Sequence, residues 1–222
     1  MASRQSKIRK IELLSIVFDP FSKVSMASLN LNLLKILKRS KMKKLNLILV
    51  LSLIFTTTIF AQKTFTLTSK DLGGETTKIQ EFNGFGCSGE NQSPELSWKN
   101  APEGTKSFAI TMYDPDAPTG SGFWHWVVVD IPVNVNELVT NAGTKSNLIP
   151  KGAIQSITDY GIKGFGGPCP PAGHGFHQYI ITVYALKTDK LGTNENTNPA
   201  VVGFNLWNQT LAKASIVAYY KR

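Results

Sequence analysis

From residue 64 to residue 186 the chain passes through one strand-like segment after another with no helix between them, and this order restricts its fold more than any other feature. Thr64-Phe65-Thr66-Leu67-Thr68 alternates polar and apolar residues, as a strand with one buried face does. Segments 108–113, 123–131 and 176–186 are rich in aromatic and β-branched residues and are separated by Gly, Pro, Asn and Asp. A parallel α/β sheet needs helices between its strands, so that class is excluded. One stretch reads as a helix. Thr197 or Asn198 caps it, Pro199 suits its first turn, and apolar residues continue through Val202, Leu206, Leu211 and Ala214. Residues 215–220 return to β composition and predict a closing strand. The expected fold is mainly β, an antiparallel β-sandwich with a C-terminal helix, and no repeat with a period of about 20–50 residues is visible.

The net charge of +9 suggests a nucleic-acid partner until it is located along the chain. Residues 1–61 hold eleven Lys and Arg against Glu12 and Asp19, whereas residues 62–222 carry 13 bases and 13 acids. The expected folded part is neutral and offers no general attraction to a phosphate backbone, so no nucleic acid is expected as partner.

Met42-Lys43-Lys44 is followed by an uncharged run over 45–60 and then by Ala61-Gln62, which resembles a secretory signal peptide with its basic start, apolar core and small cleavage residue. Three regions are therefore expected: an upstream extension over 1–41, a signal peptide over 42–61 and a folded domain over 62–222. The alternative is an uncleaved anchor, although 16 apolar residues fall short of the ~20 that a spanning helix needs. Cleavage predicts an exported protein, periplasmic or secreted, with no stable membrane span.

Two segments carry chemistry. Tyr113-Asp114-Pro115-Asp116-Ala117-Pro118 is a turn stiffened by two prolines, which holds carboxylates in place at low entropic cost; alternatively, Asp114 and Asp116 serve only their own turn. On a regular strand after it, Phe123, His125, Val127 and Val129 share one face while Trp124, Trp126 and Val128 share the other. The second segment runs from Gly164 through Gly166-Gly167-Pro168-Cys169-Pro170-Pro171 to His174-Gly175-Phe176-His177-Gln178-Tyr179. There His177 and Tyr179, two apart on a strand, project together. If the loops converge, His125 and His177 offer N–H donors, and backbone amides near Cys169 add more. That set suits a small phosphate or carboxylate, with Asp114 or Asp116 orienting a ring or meeting a cationic group.

These segments resemble the signature of the phosphatidylethanolamine-binding protein family, also called Raf kinase inhibitor-like. The likeness joins Asn91-Gln92-Ser93-Pro94-Glu95-Leu96-Ser97-Trp98, the DPDAP turn with Trp124-His125-Trp126, the GPCPP loop with His177-Gln178-Tyr179, and Leu211-Ala212-Lys213-Ala214, in the order of the bacterial branch. It implies a β-sandwich whose small pocket binds anions, including phosphorylated head groups, through Asp114, Asp116, His125, Pro170, His177 and Tyr179. Phe123 stands where relatives often carry Trp, which keeps stacking and removes a donor. The chain stops soon after the helix, without the C-terminal gate of eukaryotic members, so a head group is expected rather than a lipid tail. The resemblance also implies a homodimer and, as a second reading, inhibition of a protease or kinase.

Other chemistries fit less well. His125, His174, His177 and Asp116 contain ligand types for zinc, but Gly175 and the onset of a strand are expected to aim His174 and His177 apart, leaving His174 facing solvent. No metal or other cofactor is expected. A hydrolase built on His125, His177 or a Cys169 nucleophile is a further alternative, yet no Gly-x-Ser-x-Gly elbow is present, and the protein is expected to act by binding rather than turnover. Export would also allow Cys87 and Cys169 to bridge, worth about 4–5 kcal/mol for so long a loop, and the sequence leaves that pairing open.

Overall fold

The structure is a computed structural model that describes residues 63–222. The upstream extension and the signal peptide expected over 1–61 lie outside the described residues. Among these residues ten strands, one α-helix and a short 3-10 helix (Ser146–Leu148) follow, the strands and α-helix in chain order being β1 (Thr66–Thr68), β2 (Asn83–Gly84), β3 (Cys87–Ser88), β4 (Leu96–Lys99), β5 (Ser107–Asp114), β6 (Phe123–Pro132), β7 (Glu137–Leu138), β8 (Ile154–Gln155), β9 (His177–Leu186), α1 (Pro199–Gln209) and β10 (Thr210–Tyr220). Five strands form an antiparallel sheet in the order β10-β9-β5-β6-β8, and three form a smaller one, β1-β4-β7. β2 and β3 make a separate hairpin.

The burial of each strand explains the layers. β5 and the middle of β6 carry apolar residues on both faces and are buried apart from the half-buried Tyr113, so the large sheet is covered twice. On one face Ile110, Met112, Trp126, Val128 and Ile181 pack with Leu67, Leu96, Trp98 and Leu138 of the small sheet. On the other, Ala109, Val127 and Val129 meet Val202 and Leu206 of α1. The result is a mainly β sandwich of two antiparallel sheets with one C-terminal helix on its outer face.

The helix is shorter than its apolar pattern suggests. Asn198 caps it by accepting the Ala200 N–H, and Pro199 stands in its first turn. Val202 and Leu206 lie four apart on its buried stripe, but Leu211 is five further on and falls off that stripe. Leu211 and Ala214 belong instead to β10, which pairs along β9 from Thr210 to Tyr220 and buries residues with a period of two. The open edge of β9 supplies a residue opposite nearly every residue there and hydrogen bonds to alternate ones, and this tertiary pairing overrides the helical reading.

Candidate functional site

β5 is hydrogen-bonded to both β6 and β9, with Asp114 opposite Phe123 and Tyr113 opposite Ile180. The end of β5 and the starts of β6 and β9 therefore meet at one edge of the large sheet. A cavity of about 160 Å³ opens there, lined by Asp114, Phe123, His125, Tyr160, Pro170, His177 and Tyr179 among others. It is smaller than the ~300–1,000 Å³ of sites for drug-sized ligands.

His125 reaches the cavity through an irregularity. Met112 pairs with Trp126 and Tyr113 with Trp124, so His125 is an extra residue in β6 with no partner opposite. This β-bulge re-aims the side chain. Trp124, expected to share a face with Trp126, packs instead with Val127 and Val129, while the His125 ring meets Tyr179 edge-on at 5.1 Å between centroids. The regular alternation read from the sequence fails at this point because the bulge shifts the phase by one residue.

The ring is 3% exposed. Its Nδ1–H donates to the Gly166 carbonyl at 2.8 Å and lies 3.2 Å from that of Gly167. Burial pushes its pKa below the usual histidine value, with the Gly166 carbonyl and the Asp114 charge opposing. Neutral His125 thus has Nδ1 as donor and Nε2 as a lone pair. His177, also buried, donates Nδ1–H to Asp114 Oδ2 at 2.7 Å, and its Nε2 lies 2.8 Å from Nδ1 of His174. The exposed His174 therefore touches His177, contrary to the expectation that Gly175 would aim the two rings apart; the turn carries its ring back over the strand. The expected free N–H donors on both histidines are absent in this arrangement. Among the described residues no group of three or more His, Cys, Asp or Glu is arranged to hold a metal.

Asp114 and Asp116 separate in role. Asp114 is buried and accepts the Asp116 N–H as well as His177. Asp116 is exposed and outside the cavity lining, and its Oδ2 accepts the Gln178 N–H at 2.8 Å, tying the turn to β9. Tyr179 is fully buried, and its hydroxyl lies near the Asp114 carboxylate without forming a well-aligned hydrogen bond. Burial, reinforced by the Asp114 charge, raises its pKa far above the usual phenol range, so it stays a donor.

The proline loop forms the opposite wall. Among residues 168–171 only Cys169 has a backbone N–H, since the others are proline, so the several amides expected there reduce to one. Gly167 donates its N–H to Asn91 Oδ1, while Asn91 Nδ2 donates to Phe165. A Cβ on Gly167 would come within 1.7 Å of the Gln80 carbonyl, so only glycine allows this approach. Cys169 is joined to Cys87 in a disulfide, with Cα atoms 6.0 Å apart. While that bond holds, Cys169 has no thiolate to act as a nucleophile.

Two lining residues were not legible as site residues. Tyr160 stacks on Phe82 at 4.0 Å and donates its hydroxyl to Gly167. Phe85, at the tip of the β2–β3 hairpin, is 75% exposed. The only sequence cue for Tyr160 is the Asp159-Tyr160-Gly161 turn, whose Asp159 accepts the Trp124 N–H beside His125.

Residues 63–221 match the family described as phosphatidylethanolamine-binding protein. The chain belongs to that family. Members of the phosphatidylethanolamine-binding protein family are generally binding proteins. The UPF0098 protein YbcL of Escherichia coli is 48% identical over 160 residues, which is 71% of this chain and 87% of that protein. Its crystal structure, described as that of a member of the mammalian family, superposes with a TM-score of 0.70 and covers 98% of that chain. UPF0098 protein YbhB of Escherichia coli is 48% identical over 139 residues, 63% of this chain and 87% of that protein. A homologue from Chlamydia trachomatis is 25% identical with a TM-score of 0.60, covering 72% of this chain and 98% of that one.

Proposed function

We propose that this phosphatidylethanolamine-binding protein family member is an exported binding protein whose cavity takes a small anion, phosphate or a phosphorylated head group. The observation that carries the reading is the Tyr179 hydroxyl, a buried donor beside His125 and His177 that has the Asp114 carboxylate near it but makes no well-aligned hydrogen bond. A ligand oxygen accepting from it removes the cost of an unmade hydrogen bond. The cavity volume of about 160 Å³ favours a head group over an acyl chain. Export is supported by the signal-like segment 42–61 and by a disulfide of the kind that oxidising compartments maintain. A putative lipoprotein of Mycobacterium tuberculosis is 36% identical over 102 residues. No helix among the described residues is long and apolar enough to cross a membrane.

Calorimetric titration with inorganic phosphate and phosphoethanolamine tests the reading. Saturable binding of either by the wild type, weakened in the Tyr179→Phe variant, supports it; binding of neither refutes it. Inhibition of a protease or kinase is the second reading and rests on family likeness alone, and an assay against proteases of the same compartment separates it from the first. Pairing of two copies belongs to the same reading and is tested by sedimentation equilibrium.

A further inference from the structure

This inference rests on the reading that the cavity holds a small oxyanion, and concerns the charge state in which it does so. The hydrogen bonds already made leave few donors for such a ligand. His177 commits Nδ1–H to Asp114 and Nε2 to His174. The Tyr160 hydroxyl is committed to Gly167. His125 commits Nδ1–H to the Gly166 carbonyl, and no protein group bonds its Nε2. No lysine or arginine lines the cavity, and Arg222, close to the hairpin, donates to the Gly86 carbonyl. Asp114 is a buried carboxylate in the same wall. A fully ionised oxyanion entering this site would face a carboxylate and a nitrogen lone pair, with the Tyr179 hydroxyl and the Cys169 amide as the donors to meet it. Burying a charge without a compensating partner is strongly unfavourable.

We propose that the cavity binds a small oxyanion together with one proton, taken from solvent onto Nε2 of His125, which turns that nitrogen from an acceptor into a charged donor facing the ligand. No bond in the ligand is broken. The imidazole gains one positive charge and the ligand keeps its own, so the complex gains one proton and one anion. The groups facing His125 agree with this balance. Asp114 from β5 and Asp159 from the segment before the proline loop both favour its cation. Tyr160 and Tyr179 are neutral phenols, Phe123 has no charge, and the Gly166 and Gly167 carbonyls hold Nδ1–H in either protonation state. His177 and His174, chained to Asp114, are the other imidazoles nearby.

Sulfate is the probe, because it stays fully ionised across the histidine range. The full domain is titrated calorimetrically at about pH 5.5, 6.5 and 7.5, each in two buffers of different ionisation heat. The expected result is an affinity that falls by about tenfold per pH unit at the upper end, with close to one proton taken up per sulfate. His125→Gln, whose side-chain N–H needs no added proton, should bind with a nearly flat pH dependence. His174→Asn should leave the proton uptake unchanged. Equal sulfate affinity at the lowest and highest pH, or uptake that survives in His125→Gln and disappears in His174→Asn, overturns the inference. If His125→Gln does not fold, the proton counts of the wild type and of His174→Asn decide together, and uptake lost in His174→Asn overturns the inference. Absence of sulfate and phosphate binding at every pH defeats the ligand reading itself, whereas binding without proton uptake defeats this inference alone.

Discussion

The hydroxyl of Tyr179 is buried without a well-aligned hydrogen bond, so the folded protein carries part of its desolvation cost until a ligand accepts from it. Tyr179→Phe removes that cost and should leave the unfolding free energy unchanged or raise it by up to ~1 kcal/mol, while weakening phosphate by ~1.5–3 kcal/mol. Urea denaturation and calorimetry read the two effects separately, and a loss of stability with unaltered affinity would make the hydroxyl structural. The two aspartates of the turn should differ as sharply. Asp114 is buried and accepts from both His177 and the Asp116 N–H, where an amide offers one oxygen in place of two, so Asp114→Asn should cost ~1–3 kcal/mol of stability. Asp116→Asn keeps an oxygen for the Gln178 amide at an exposed position and should cost less than ~1 kcal/mol. Equal losses in thermal melts would show that the division of roles is wrong.

At the scale of elements, the β2–β3 hairpin and the proline loop act as one wall, because Cys87 follows the hairpin tip and is bonded to Cys169. Phe85 at that tip has φ 53°, a left-handed conformation that a bulky side chain adopts at a cost. Asparagine tolerates this conformation, so Phe85→Asn should raise stability by ~1 kcal/mol. It should also speed ligand release, because the aromatic cap over the cavity is gone; unchanged dissociation kinetics would show that the ring does not cover the ligand. Replacing both cysteines by serine should lower stability by up to about 4–5 kcal/mol through the freed loop. The loop would still be tied by Asn91, whose carboxamide bonds Phe165 and Gly167. Asn91 lies in a segment that the sequence marks by resemblance, but its role as a clamp across more than 70 residues appears only in the folded chain.

For the whole molecule, buried His125 couples stability to pH. Its folded pKa lies below the ordinary value of 6.5, so the unfolded chain takes up a proton there that the native protein refuses. Its contribution to stability is therefore complete above about pH 6.5 and declines as pH falls below it, by at most ~1.4 kcal/mol per unit for one proton. Denaturation midpoints at about pH 7.5 and 5.5 should show this decline in the wild type and less of it in His125→Gln. An equal decline in both would assign it to other groups. Glu81 acts further into acid. Burial raises its pKa, but the Lys78 and Tyr220 side chains and the Ser88 N–H outweigh that effect, holding the pKa below 4.5, so its contribution is lost only as pH falls through that lower value.

Composition and strand periodicity alone determined the class of this protein, because alternation and turn residues are local properties that survive without knowledge of their neighbours. The antiparallel sandwich, a capped helix start at Thr197 or Asn198 and the two stiff histidine-bearing segments were all legible in that way. Tertiary structure decided the rest. The bulge that turns His125, the pairing that converts Leu211 and Ala214 from helix to strand and the arrival of Tyr160 and Phe85 at the cavity each depend on a partner distant in sequence, while the contact of His174 with His177, only three residues apart, is set by the path of the folded turn between them. A nitrogen's role as donor or acceptor is set by what its ring already touches, and no spacing along the chain contains that information.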